Sequence, residues 1–206
     1  EKVYGLSSEQ ENILALRKQQ LIAVCGDDDC LPATFIEGVP CTGGLLAGMQ
    51  VLGVVPKSNQ CEVKTLNVNS MPDVRVFETP LFKEIFLSGV SGMQDDAQQT
   101  LSDQTTEMFT KTEQVLAAQG LAPKNIVRTW IYFPRLLDWY GEFNKARTSW
   151  FKECNLITDT EVYLPASTGI QGKRHPNEEC FMDVLGFISK DQKEADVTVL
   201  NNNRQN

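Results

Sequence analysis

The sequence predicts a mixed α/β (α+β) fold, in which one β-sheet carries two helices on one face and an N-terminal α/β extension precedes it. Between Val63 and Ile188, strand and helix signals follow the order β-β-β-α-β-α-β-β. Each helix stands between two strands, so each can form a right-handed crossover between parallel strands. Packing both helices on one face of a single sheet is the simplest architecture that buries one core.

The first 60 residues predict the extension. The segment "LSSEQENILALRKQQL" has apolar residues near helical spacing, with Ser7 or Ser8 as the N-cap. The run "LIAVCG" (Leu21–Gly26) predicts a strand that leaves into the acidic turn Asp27–Asp29, where a solvated turn is favoured over a cation site. The glycine-rich segment Gly43–Pro56 predicts a buried strand or pair of strands.

Alternating apolar and polar residues predict the strands of the main sheet. Cys61–Val68 and Val74–Thr79 alternate and are joined by a turn signal, so they predict a hairpin. Glu84–Gly92 predicts an apolar third strand, and "EVYLPASTGI" and "CFMDVLGFI" predict the last two. In "NIVRTWIYF", alternation places four residues on one face (Ile126, Arg128, Trp130, Tyr132) and four on the other (Val127, Thr129, Ile131, Phe133).

Two long helices are predicted near residues 97–119 and 136–154. Asp95 and Asp96 precede the first of them, where the helix dipole favours negative charge, and Gly120 fits its C-terminal cap. The second helix has an apolar stripe with one cation in it, formed by Leu136, Trp139, Tyr140, Phe143, Arg147, Trp150 and Phe151.

Composition excludes several classes of function. The chain has 206 residues, a net charge of -8 and a pI of about 4.8, and it lacks the basic footprint that nucleic acids require. No apolar run approaches the ~20 residues that span a bilayer. The sequence has one histidine and no CxxC pair, so we expect no metal site and no cofactor.

The six cysteines bear on whether the protein is cytoplasmic or secreted. Reduced, mostly buried thiols in a cytoplasmic protein are favoured over a disulfide between Cys25 and Cys30. The even number of cysteines leaves a secreted protein open as the alternative.

Several strings carry a resemblance to a known family. "FLSGVSG", the pair Gln104–Thr105 ahead of a long helix, "VLAAQGLAPKNIVRTWIYF" and a helix ending in "WF" resemble the RidA/YjgF family over about residues 63–189. "RTWIYF", "LLDWYGEFNKAR" and "PASTGIQG" resemble more closely the N-terminal half of FkbO-type chorismatases, in which a second RidA-like unit follows the first.

The resemblance implies a chorismate-mutase-like fold, and either a trimer or a second RidA-like unit as partner. It divides the chain into an extension that packs on the main domain (1–60), a RidA-like domain (61–190), and residues 191–206, which form either a polar tail or the start of a missing second unit. It also implies binding or hydrolysis of a small carboxylate such as chorismate.

Two departures from the family pattern bear on activity. The family has a carboxylate-binding Arg after a "PA" dipeptide, where this sequence has Ser167 after Pro165–Ala166. The family also has a Glu in the last strand, near the position of Phe181. We therefore expect little imine deaminase activity and assign no catalytic residue. A chorismatase-like hydrolase and a non-catalytic ligand-binding or oligomerisation domain both remain open.

The candidate carboxylate site centres on Arg128, a cation inside an apolar strand. A buried Arg requires a partner, so Arg128 either pairs with Asp183 or Glu142, or faces a cleft and binds a carboxylate. That cleft would be completed by a neighbouring subunit or domain. His175, in a polar loop, is predicted to be a surface residue. The candidate binding residues are Arg128, Arg147, Tyr140, Ser167, Thr168 and Gly169.

Overall fold

A computed structural model describes residues 1–26, 33–66, 73–94 and 99–190. Its helices are α1 (Gln10–Cys25), α2 (Leu101–Ala118) and α3 (Leu136–Glu153). Its strands are β1 (Lys2–Gly5), β2 (Thr34–Glu37), β3 (Leu46–Gln50), β4 (Glu62–Leu66), β5 (Asp73–Glu78), β6 (Phe82–Ser91), β7 (Ile126–Phe133), β8 (Ala166–Gln171) and β9 (Phe181–Ser189). None of the helices in these ranges has the length and apolarity needed to cross a membrane.

The main sheet has six strands in the order β4-β5-β6-β9-β7-β8. β9 is antiparallel to both β6 and β7, and β7 is parallel to β8, so β6, β7 and β8 run in one direction. α2 connects β6 to β7 and α3 connects β7 to β8. Both helices are therefore crossovers between parallel strands, and the predicted fold class is confirmed.

Both helices pack on the same face of this sheet, which we call the helix face. Phe109 of α2 stacks on Trp150 of α3 with ring centroids 4.5 Å apart, and Phe143 of α3 lies edge-on to Phe133 of β7 at 4.7 Å. These rings belong to one buried apolar cluster that continues through the inner side chains of the sheet. Burial of this apolar surface is the main driving force that holds the helices to the sheet.

The extension lies on the opposite face, which we call the extension face. Its own sheet has the order β2-β1-β3, and Val3, Ile13 and Phe35 form a small core between that sheet and α1. Ile36 of β2 packs against Tyr132 and Phe181 of the main sheet. The division of the chain at residues 60 and 190 stays a prediction, and 191–206 lies outside the described residues.

The predicted strand at Leu21–Gly26 is wrong, because α1 continues through Cys25. A short apolar run fits the end of a helix as well as a strand. Gly26, with φ of 73°, ends the helix and donates its N–H to the carbonyl of Ile22 at 2.8 Å. The predicted N-cap is wrong as well, because Ser7 and Ser8 lie in a 3₁₀ turn and Glu9 is the N-cap of α1.

Gly43–Pro56 is not buried as predicted. It contains one strand, β3, at the edge of the small sheet, and the apolar residues after it are exposed: 65% for Val51, 75% for Leu52 and 83% for Val55.

The prediction that the cysteines are mostly buried also needs correction. Of the described free thiols, Cys180 is buried, Cys61 and Cys154 are half-buried and Cys41 is exposed. The predicted features at Asp27–Asp29, Cys30 and Asp95–Asp96 lie outside the described residues.

The predicted helices of the main domain are confirmed with shorter bounds. α2 begins with a capping box that the prediction missed, in which Thr100 and Asp103 exchange side-chain and backbone hydrogen bonds. The predicted strand faces of β7 are confirmed from Arg128 onward. An irregularity between Ile126 and Arg128 shifts the register, and Ile126 joins the core on the helix face.

Gly89 occupies an irregular point of β6, between Leu87 and Val90, with φ of 59°. A Cβ at Gly89 would lie 2.5 Å from Nη1 of Arg174. We expect Gly89→Ala to lower the free energy of unfolding by roughly 1–3 kcal/mol, because it adds backbone strain and displaces Arg174. Gly141 in α3 is the matched control, since its Cβ would meet nothing within 4 Å. Gly141→Ala is expected to stabilise by about 0.5–1 kcal/mol. Urea denaturation of both variants checks the prediction, and equal effects of the two would contradict it.

Candidate functional site

Arg128 lies on the extension face, and its side chain is exposed. Its guanidinium lies 4.9 Å from the ring centroid of Trp130, and Nη2 donates to Oγ1 of Thr168 at 3.3 Å. The predicted pairing with Asp183 or Glu142 is wrong, because no carboxylate among the described residues forms an ion pair with Arg128. Stacking on the indole holds the guanidinium in place without neutralising its charge.

Lys2 of β1 places a second cation on the same indole. Its Nζ lies 4.5 Å from the Trp130 ring centroid and 3.6 Å from Oδ2 of Asp183. Burial lowers the pKa of Lys2, while the charge of Asp183 acts in the opposite direction. The two cations therefore differ, since Lys2 is paired with a carboxylate and Arg128 is not.

Asp183 is the centre of a buried polar cluster and is 0% exposed. It accepts hydrogen bonds from the hydroxyl of Thr34, from the N–H of Gly89 at 2.9 Å and from the hydroxyl of Tyr132 at 3.4 Å. Burial, and next the charge of Asp183, raises the pKa of Tyr132 above its usual range. The carboxylate thus connects the extension to the main sheet.

A second ion pair, between the half-buried Arg174 and the buried Glu178, lies next to this cluster. Arg174 donates to Glu178 at 2.5 and 3.0 Å and to the carbonyl of Gly89 at 3.3 Å, and its guanidinium lies 4.7 Å from the Phe181 ring centroid. The sequence predicts only a polar loop for this segment, because the spacing of its charges does not show that Glu178 becomes buried. The adjacent His175 is exposed, as predicted.

Gln104 and Thr105 lie in α2, and both side chains contact the segment just before β9. Nε2 of Gln104 donates to the carbonyl of Asn177 at 2.9 Å, and its Oε1 accepts from the N–H of Glu179 at 2.9 Å. The hydroxyl of Thr105 lies 3.5 Å from Sγ of Cys180. Both residues therefore attach the loop before β9 to α2.

The predicted binding residues do not converge on one cleft. Thr168 lies with Arg128 on the extension face, whereas Ser167 lies on the helix face, where its Oγ is 2.8 Å from Oγ1 of Thr129. Successive strand residues point to opposite faces, so Ser167 and Thr168 cannot serve one ligand with their side chains. A Cβ at Gly169 would point toward α3, 3.8 Å from the ring of Tyr140.

Arg147 lies on the helix side of the sheet, away from Arg128. Its guanidinium is 5.5 Å from the ring centroid of Phe143 and 5.7 Å from that of Phe151. Its Nε is buried with no hydrogen-bond partner among the described residues. Of the six predicted residues, only Arg128 and Thr168 therefore form a common site.

Two of the described thiols are poorly reactive, and the described ranges contain no cluster of metal ligands. Burial raises the pKa of Cys180 to about 12 and that of Cys154 to about 11, so both are protonated at neutral pH and are poor nucleophiles. No group of three or more His, Cys, Asp or Glu side chains in these ranges is arranged to hold a metal ion.

These features define a mixed α+β protein with two crossover helices on one sheet face and, on the other, a group of Arg128, Trp130, Thr168 and Lys2 that we call the cationic indole site. Residues 82–179 match the family model described as Endoribonuclease L-PSP, a segment slightly shorter than half of the chain. This match supports the RidA/YjgF superfamily for that segment. No curated protein matches the chain.

Three solved structures illustrate the similarity in shape. The YjgF protein of E. coli is 18% identical, with a TM-score of 0.43 over 50% of this chain and 79% of that one. TdcF of E. coli, solved with bound serine, is 14% identical, with a TM-score of 0.44 over 65% and 90%. Yeast Mmf1 is 19% identical, with a TM-score of 0.42 over 54% and 82%. At these values the similarities imply nothing about what this chain binds.

Proposed function

We propose that this protein binds a small carboxylate at the cationic indole site, which consists of Arg128, Trp130, Thr168 and Lys2. The observation that carries the proposal is the state of Arg128: an exposed guanidinium, stacked on Trp130, with a hydroxyl as its hydrogen-bond partner. Unpaired guanidinium groups bind carboxylates through two parallel hydrogen bonds, and each charged hydrogen bond contributes roughly 1.5–3 kcal/mol.

The charges of the chain also point to Arg128 as the group that attracts an anion. With a net charge of -8, the protein repels anions in general, so an anion requires a local cationic focus. The charge of Lys2 is partly balanced by Asp183 at 3.6 Å, which leaves Arg128 as the main attraction. The oxygen of Thr168 accepts from Arg128, so its hydroxyl hydrogen remains free to donate to the ligand.

The resemblance to chorismatases makes chorismate the first acid to test. Chorismate carries two carboxylates, and Arg128 and Lys2 are two cations on one indole ring. The proposal concerns binding alone. Hydrolysis of the enol ether would require a general acid, and we assign no residue to that role.

Arg128→Ala is expected to abolish chorismate binding while the fold is retained, because Arg128 is exposed and leaves no buried partner unpaired. Titration calorimetry at neutral pH measures the binding, and circular dichroism checks the fold. Arg135→Ala is the matched control: Arg135 also stacks on an indole, 4.6 Å from Trp139, but pairs with Glu179 at 3.1 Å. Equal affinity in Arg128→Ala and wild type, or no binding by wild type, would refute the proposal.

We expect this chain to have little imine deaminase activity. Where the resemblance places a carboxylate-binding Arg, Ser167 has a short neutral side chain that contacts Thr129 on the helix face. An assay with 2-aminoacrylate measures the rate. A rate similar to that of an intact RidA protein would contradict this expectation and favour an enzyme over a binding domain.

Self-association is the second part of the proposal. β8, which carries Thr168, is an edge strand, and unpaired strand edges favour association with another chain. Apolar side chains near this edge are exposed, namely Leu137, Tyr140, Val162 and Leu164. A neighbouring subunit or a second RidA-like unit at this edge would complete the site around Arg128, and a trimer is the form that the resemblance implies.

A further inference from the structure

A cleft of about 280 Å³ lies between residues 51–54 and the extension face of the main sheet. Val51, Leu52 and Val54 form one wall, and Phe77 and Phe86 belong to the opposite wall. The cleft adjoins the cationic indole site, since Phe86 lies 6.1 Å from Trp130 between ring centroids, but the two share no lining residue. The cleft is therefore a second candidate for ligand binding.

Two polar side chains in the cleft have no partner among the described residues. Ser88 is 6% exposed, and its Oγ forms no hydrogen bond. Buried hydroxyls are normally hydrogen-bonded, so an unpaired one in the wall of a cleft indicates a missing partner. Glu84 forms no ion pair or hydrogen bond within the described ranges, and in the strand register its neighbours are Phe77 and Phe187.

The spacing of these two groups limits the size of a ligand. Glu84 and Ser88 lie on the same face of β6 with Phe86 between them, and at ~3.3 Å per residue their Cα atoms are about 13 Å apart. A ligand that reaches both has an apolar body, which the aromatic wall accommodates, and a polar group at each end.

The charges of the cleft favour a cation at the Glu84 end. Glu84 is half-buried, and burial raises the pKa of its carboxyl, which an ammonium partner would reverse. Of the other charged residues that line the cleft, Arg75 donates to the hydroxyl of Thr65 and keeps its positive charge, but burial is what shifts the pKa of Glu84 and Arg75 does not counter it. The Glu1 carboxylate accepts from Arg17 at 2.9 and 2.6 Å, and burial lowers the pKa of the Glu1 N-terminal ammonium. A carboxylate ligand would instead meet repulsion from Glu84.

We propose that the cleft binds a small arylalkylamine, with its ammonium paired to Glu84, its ring between Phe86 and residues 51–54, and a ring hydroxyl bonded to Ser88. This ligand class differs in charge from the carboxylate proposed for Arg128. The two proposals can therefore fail independently.

Three probes that differ at one end test the assignment: tyramine, phenethylamine without the hydroxyl, and 3-(4-hydroxyphenyl)propionate with a carboxylate in place of the ammonium. At neutral pH the wild type is expected to bind tyramine best and the carboxylate least. Glu84→Gln should weaken tyramine binding about tenfold or more, the loss expected for one charge-assisted hydrogen bond. Acidification through the raised pKa of Glu84 should weaken tyramine binding in the wild type and not in Glu84→Gln.

Ser88→Ala provides a second test, because it removes a hydroxyl that already lacks a partner and is therefore expected to fold. Ser88→Ala should weaken the binding of tyramine and leave the binding of phenethylamine unchanged. Glu62→Gln is the matched control, since Glu62 is an exposed strand carboxylate that pairs with Lys64 at 2.9 Å. Arg128→Ala should not change the binding of tyramine. The proposal is overturned if wild type binds none of the probes, if the carboxylate binds best, or if Glu84→Gln and Ser88→Ala bind all three like wild type.

Discussion

Asp183→Ala is expected to lower the free energy of unfolding by about 3–5 kcal/mol, the usual cost of removing one partner of a buried ion pair. The carboxylate is 0% exposed and is contacted by Lys2, Thr34, Gly89 and Tyr132. Its removal leaves a half-buried ammonium and three donors without their acceptor. Two of these partners belong to the extension, so the loss should also weaken its attachment to the sheet. Urea denaturation at neutral pH measures the effect.

Glu179→Ala is the control for this prediction. Glu179 also forms an ion pair, at 3.1 Å from Arg135, but that Arg is about half exposed. Exposed ion pairs contribute about 0–1 kcal/mol, because water screens the charges and both side chains lose conformational freedom. A similar loss in the two variants would show that the cluster around Asp183 contributes no more than a surface pair.

Phe109→Ala is expected to lower the free energy of unfolding by about 3–5 kcal/mol, as for other buried aromatic residues that are truncated. The ring is 2% exposed and contacts three rings of α3: Trp150 at 4.5 Å, Phe143 at 6.2 Å and Phe151 at 6.5 Å. Truncation would leave a cavity between α2 and α3 and remove the main aromatic contact between them. Thermal and urea denaturation check the result.

Two variants define the limits of the Phe109 prediction. Phe109→Leu retains most of the apolar volume and is expected to cost less than the Ala variant. Leu137→Ala removes an apolar side chain of α3 that is 89% exposed, and its effect should stay within about 0.5 kcal/mol. An Ala variant of Phe109 that is as stable as the Leu variant would show that the helices repack without this ring.

Local periodicity explains why the element order could be predicted. Most strands from β4 to β9, and the helices α2 and α3, repeat apolar residues at a spacing of 2 or 3.6, and this signal depends only on neighbours in the chain. The same reasoning failed at Leu21–Gly26, where six apolar or small residues fit either structure. It also failed to show that Gly43–Pro56 is exposed, because apolar composition does not say whether another element covers a segment.

The candidate site depended on contacts that sequence spacing does not contain. The sequence by itself determined the fold class, the two crossover helices and the unusual position of Arg128 in an apolar strand. Tertiary structure decided that β9 lies between β6 and β7, and that Asp183 pairs with Lys2 and Thr34, the latter 149 positions away, rather than with Arg128. Secondary structure follows from interactions between near neighbours, whereas the pairing of a charge depends on which distant segments share its face of the sheet, because only groups within a few ångströms can compensate for the loss of water.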